Sequence, residues 1–235
     1  MRKFLLLIFT AGVGLFAETL PEWIVPLREA VYMQELGSND IKPLYSFAVS
    51  ASQNHLTGVS LDIALSRCEY LMGRALHYEK LNSEALVHYK EGMRLAEKAI
   101  EKEPGDESWL LLAESLSQSC AIGPWTYTMA NGLNVEKFAK NALTINARNA
   151  AALYIVAARW VFAPAPFNNL KKGIEMMKEI PANSDPAKDD LFNIYSAVGY
   201  GYLQQKKYDE ARPWLIKSLE IYPTNKFVAE LLEKK

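Results

Sequence analysis

Residues 191–223 read LFNIYSAVGYGYLQQKKYDEARPWLIKSLEIYP, and two small side chains in this stretch limit what the rest of the chain can become. Gly199 and Ala211 flank a polar turn at residues 204–207. With side chains this small, two helices running in opposite directions bring their backbones close together. Tyr195, Tyr202 and Leu215 recur around them at helical spacing and fill the space on either side. A hairpin of this kind cannot bury its apolar face alone, so it demands neighbours of the same kind.

Counted from Phe192, the unit places Tyr195 fourth, Val198 seventh, Gly199 eighth and Tyr202 eleventh, then Ala211 twentieth, Leu215 twenty-fourth, Ser218 twenty-seventh and Pro223 thirty-second. This pattern resembles the tetratricopeptide repeat (TPR), an antiparallel helix pair of about 34 residues. The same register can be laid over earlier stretches. Met72, Gly73 and Ala85 open one unit, whose second helix overruns the family length to Ala99, Ile100 and Pro104. Trp109, Leu112, Ala113 and Leu116 open the next, which closes at Ala142, Leu143 and Ala147. Leu153, Val156, Ala157 and Trp160 open another, with a turn at residues 163–167 and a return helix over residues 168–180. The resemblance implies an all-α fold, a right-handed α-solenoid of TPR-like antiparallel hairpins spanning residues 61–235. Residues 225–234 supply a C-terminal capping helix, as solenoids require at their ends.

Ahead of it, residues 18–60 predict two helices, one beginning near Pro26 and stopping at Gly37, the other capped by Asp40 and running to about Asn54. Whether these form a degenerate hairpin is open. Residues 1–17 read as a signal peptide: Arg2 and Lys3 precede an apolar run from Phe4 to Phe16, with Ala17 at the cut. The run falls short of the roughly 20 apolar residues that span a bilayer. The expectation is an exported, periplasmic, soluble protein, with an uncleaved N-terminal anchor as the lesser reading.

The formal net charge of −1 argues against a nucleic-acid surface. Enzyme signatures are missing: there is no G-x-S-x-G, no phosphate loop, no dinucleotide-binding G-x-G-x-x-G and no H-E-x-x-H. The histidines His55, His77 and His88 show no metal-ligand spacing, so no metal and no cofactor are expected. Cys68 and Cys120 fall at the third and fifteenth places of neighbouring front helices, an offset of about 18 Å at roughly 1.5 Å per residue. A disulfide needs Cα atoms within about 7 Å, so two unpaired thiols are expected.

Two sets of residues stand out as binding candidates. In TPR proteins the front helices line a concave groove, and the family's groove-facing places correspond here to Arg67, Tyr70, Arg74, His77 and Tyr78, to Tyr154 and Phe162, and to Asn193, Tyr200 and Gln204. Arginines and aromatics of this kind favour protein interfaces, though packing against neighbouring repeats is the alternative. The family's clamp for an acidic peptide tail uses lysines and asparagines at its fifth, sixth and ninth places, and this chain has Tyr70 and Arg74 at the fifth and ninth. The second set lies on two enlarged turns, expected at residues 120–134 and 163–168, with Trp125, Tyr127, Met129 and Phe167 on them and Trp160 beneath. A patch rich in Trp and Tyr marks a docking surface or apolar pocket; a self-packed plug or a homo-oligomer contact is the alternative.

The leading expectation is a non-enzymatic exported scaffold that binds a protein partner of unknown identity. A second follows from a likeness to exported helical-hairpin proteins associated with the periplasmic substrate-binding proteins of TRAP transporters. It implies a ligand-handling accessory of a transport system, taking a small apolar ligand or a periplasmic binding protein as partner.

Overall fold

The computed structural model describes residues 20–234, so the signal peptide expected at residues 1–17 lies outside the described residues. Eleven helices and no strand occur among the described residues. Four antiparallel pairs follow one another: α3 (Gly58–Tyr78) with α4 (Asn82–Lys102), α5 (Asp106–Ile122) with α6 (Trp125–Ile145), α7 (Ala150–Phe162) with α8 (Leu170–Asn183), and α9 (Lys188–Gln204) with α10 (Tyr208–Ile221). The front helices α3, α5, α7 and α9 touch in sequence and form an inner wall. The expected solenoid of stacked hairpins is the fold.

Small residues set the hairpin spacing. A Cβ on Gly199 would meet Leu215 Cδ2 at 2.5 Å and the Ala211 carbonyl at 3.4 Å. Gly73 stands in the same relation to Tyr89, whose ring would lie 2.5 Å from an added Cβ. Within the first pair, Ser66 Oγ donates to the Gly92 carbonyl at 2.8 Å; between units, a Cβ on Gly201 would lie 2.9 Å from Ile174. Any larger side chain at these places pushes helices apart. The overrun of the first unit is real, since α3 and α4 each have 21 residues.

Several local expectations are corrected. Residues 125–134 are not a loop: they are the opening turns of α6, which starts directly after Pro124 in an extended conformation. Proline sets the start, and Gly132, at a cost of about 1 kcal/mol against alanine, does not stop the helix. Helix α8 continues through Pro181 to Asn183, past the expected end at residue 180. Asp185 pairs with Arg148 at 2.8 Å, while the Asp190 carboxylate accepts the Ala187 N–H at 2.9 Å and holds the start of α9. Asp40 lies inside the first turn of α2 (Ser38–His55), behind Gly37.

The largest departure concerns α1 (Val25–Met33). It packs on α2 and α3, and its far side meets the last hairpin. Tyr32 stacks on Tyr222 with centroids 5.0 Å apart and meets Phe192 edge-on at 5.5 Å. Arg28 and Glu29 face Asp189 and Lys188 at 3.8 and 2.5 Å. Asn225 caps α11 (Lys226–Leu232) and donates to the Tyr32 carbonyl at 2.7 Å, and Gln34 Oε1 accepts from the N–H groups of Lys226 and Phe227. One core cluster therefore joins α1 to α4 with Phe192, Leu215, Tyr222, Val228 and Leu231. The solenoid is closed, with α1 as the piece that bridges its two ends.

Candidate functional site

Closure converts the groove into an interior. Along α3, Arg67, Tyr70, Arg74 and Tyr78 follow at intervals of three to four residues and so share one helix face, and that face carries two different electrostatic settings.

At Arg67 the surroundings are acidic. Its guanidinium meets Glu114 at 2.5 Å and Glu107 at 3.9 Å. Burial opposes the charge on Arg67, but these carboxylates outweigh it and hold the group protonated. Burial pushes the Glu114 carboxyl above its usual range, and Arg67 offsets this only in part; Glu107 behaves alike. Asp190 is raised further, to about 7, by burial first and then by the negative charge of Asp189. These groups line a cavity of about 380 Å³ with Asp106, Glu107, Glu114, Asp185, Asp189 and Asp190 against Arg28, Arg67 and Arg148. Acid outnumbers base in its wall.

At Arg74 the surroundings are phenolic. The guanidinium donates to Tyr32 Oη at 2.7 Å, to Tyr70 Oη at 3.4 Å and to Tyr78 Oη, and lies 4.4 Å above the Tyr32 ring. Asn193 Nδ2 also donates to Tyr32 Oη, at 3.1 Å. Among the described residues no carboxylate stands within ion-pair distance of Arg74. Tyr154 on α7 joins the group, its phenol pushed up to about 12 by burial. His77 is depressed by burial and then by the charge of Arg74. His77 and Tyr78 line a second cavity, of about 400 Å³, between the ends of α1 and α3 and α11. Tyr70 lines the first cavity and Tyr78 the second, so Arg74 stands between them.

The structure thus brings Arg67, Tyr70, Arg74, His77, Tyr78, Tyr154 and Asn193 to one interior wall. Phe162 and Tyr200 stack on each other at 5.2 Å, Tyr200 against the core cluster that holds Tyr32 and Tyr70 and Phe162 exposed, and Gln204 is exposed at the end of α9. Sequence reasoning missed Tyr32, Glu107, Glu114, Asp189 and Asp190. The two glutamates were legible as front-helix charges; Tyr32 was not, because nothing local shows that α1 reaches the far end.

The turn edge is a separate surface. Trp125, Met129 and Leu133 recur every four residues on α6 and are 59%, 58% and 74% exposed. Phe167, on the α7–α8 turn, is 56% exposed. Tyr127 is half-buried, and Trp160 lies between the cations of Arg159 and Lys172, 4.8 and 3.8 Å from its ring. Cys68 is buried in the core with its thiol pushed up to about 12 by burial, and both cysteines are free. No cluster of three or more metal-ligating side chains occurs among the described residues, and no helix there is long and apolar enough to cross a membrane.

No family model matches the sequence, and no curated protein matches it. A solved structure with 14% identity, covering 91% of each chain at a TM-score of 0.41, is that of YrrB, described as a TPR protein with an unusual peptide-binding site. The chain is TPR-like in architecture by the stacking of its own hairpins.

Proposed function

We propose that this chain is a non-enzymatic exported scaffold that docks a protein partner along its turn edge, in the cell envelope. The carrying observation is the run of Trp125, Met129 and Leu133, large apolar side chains standing in solvent at helical spacing beside Phe167. Exposed apolar groups in series lose free energy unless something covers them, which is the mark of an interaction surface. Export rests on the leader-like residues 1–17. The test is capture from the native envelope fraction by wild type and by Trp125→Ala with Met129→Ala. Loss of capture at unchanged melting temperature supports docking; unchanged capture with lowered melting temperature leaves only a plug.

The second reading, a ligand-handling accessory of a transport system, is favoured by the bridge that α1 makes across the groove. A long peptide does not thread a closed interior, whereas cavities of about 400 Å³ suit small molecules. The charged wall turns that reading from an apolar ligand toward a polar one.

A further inference from the structure

The tyrosines around Arg74 are hydrogen-bonded on one side only. Tyr32, Tyr70 and Tyr78 all receive the guanidinium on their oxygens, and Tyr32 receives Asn193 as well. A phenol has one proton to give, and none of these three gives it to an acceptor among the described residues. Tyr154 has no hydrogen bond there at all, although Arg74, Tyr78 and Glu114 lie within its electrostatic reach. Tyr32 is 1% exposed and Tyr70 5%. Buried polar hydrogens with no acceptor are costly, and here they gather round a cation with no carboxylate at ion-pair distance among the described residues, Glu114 acting on it only from farther off. What completes such a set is an oxyanion, which brings both acceptor oxygens and the missing charge.

The neighbouring cavity asks for the opposite. Even with Asp190 holding its proton, Asp106, Glu107, Glu114, Asp185 and Asp189 outnumber Arg28, Arg67 and Arg148 in its wall, so a plain anion is repelled on its way to Arg74. Glu114 is bound to Arg67 at 2.5 Å, which places the acidic end at the level of Arg67. Arg67 and Arg74 are two turns of one helix apart, about 10 Å along its axis. A ligand that satisfies both ends has an ammonium group and a carboxylate separated by most of that length.

We infer that the interior binds a small zwitterion of the ω-amino-acid or short-peptide type, its carboxylate on Arg74 and the tyrosine hydroxyls and its ammonium group among Glu107, Glu114, Asp189 and Asp190. The site needs α1, because Tyr32 comes from it. It is independent of the turn edge, so partner docking through Trp125 stands or falls separately.

The test is calorimetric titration of the full-length chain with triglycine and 6-aminohexanoate, beside hexanoate, hexylamine and glycine. The first two are expected to bind at least tenfold tighter than the other three, which lack one charge or the span. Arg74→Gln abolishes this preference, and Tyr78→Phe, which removes one hydroxyl and keeps the ring, weakens 6-aminohexanoate tenfold or more while leaving the melting temperature of the free protein near that of wild type. The Tyr78 variant keeps the question open to measurement if Arg74→Gln does not fold. Hexanoate or hexylamine binding as tightly as 6-aminohexanoate overturns the inference. So does failure of both zwitterions to bind a wild-type protein that melts cooperatively, whether or not it captures a partner, or binding unaffected by Tyr78→Phe.

Discussion

Closure of the solenoid by α1 makes a measurable demand on two residues 190 positions apart. Tyr32 and Tyr222 are fully buried and stacked with centroids 5.0 Å apart at an interplanar angle of 20°. In an open superhelix they would sit at opposite ends and know nothing of each other. Replacing either by leucine keeps apolar volume and removes the stack, at a cost of about 1–3 kcal/mol for each single variant. The pairing itself contributes about 0.5–1.5 kcal/mol beyond buried area, so the double variant Tyr32→Leu with Tyr222→Leu should be less destabilised than the sum of the singles by that amount. Urea denaturation of the four proteins yields the coupling. Sites that do not touch add within about 0.3–0.5 kcal/mol. A coupling below that limit would refute closure, and with it the enclosed interior on which Tyr32, Arg74 and Asn193 converge.

Acid titration supplies a second check. Asp190 is raised from 3.8 to about 7 by burial and by Asp189, so the folded chain holds a proton that the unfolded chain has released. Its contribution is complete below about pH 4 and is lost as pH rises through about 7; melting temperature should fall between pH 5 and pH 8, and Asp190→Asn, which mimics the neutral acid and can still accept the Ala187 N–H, should flatten the fall. Equal slopes in the two proteins contradict the assignment. For the hairpin contact, Gly199→Ala places a methyl 2.5 Å from Leu215 Cδ2 and should cost about 1–3 kcal/mol. Leu215→Ala in that background should recover part of it, and simple additivity in thermal denaturation would show that the helices are not in contact there. Trp125→Ala, at a side chain 59% exposed, should change stability by no more than about 0.5 kcal/mol, as thermal melts will show.

The sequence by itself determined the repeating unit. Glycine and alanine at the crossing points admit only a close antiparallel pair, and that information is local: Gly199 with Leu215, and Gly73 with Tyr89, are each 16 residues apart. Through the resemblance to the TPR register it also placed Arg67, Tyr70, Arg74 and Tyr78 on the groove-facing side of a front helix. The turn at residues 120–134 misled for the same local reason: Gly123, Pro124 and Gly132 suggest a loop, yet a single proline-set turn suffices, and Trp125, Met129 and Leu133 run on as a helix stripe. What only the tertiary structure decided is where the chain's two ends meet. Burial of Tyr32 against Phe192 and Tyr222 depends on the curvature accumulated over four hairpins, a sum of small rotations that no window of residues contains. That sum turns an open groove into an interior with an acidic end at Arg67 and a phenolic one at Arg74, and so decides which of the charges in the sequence face each other.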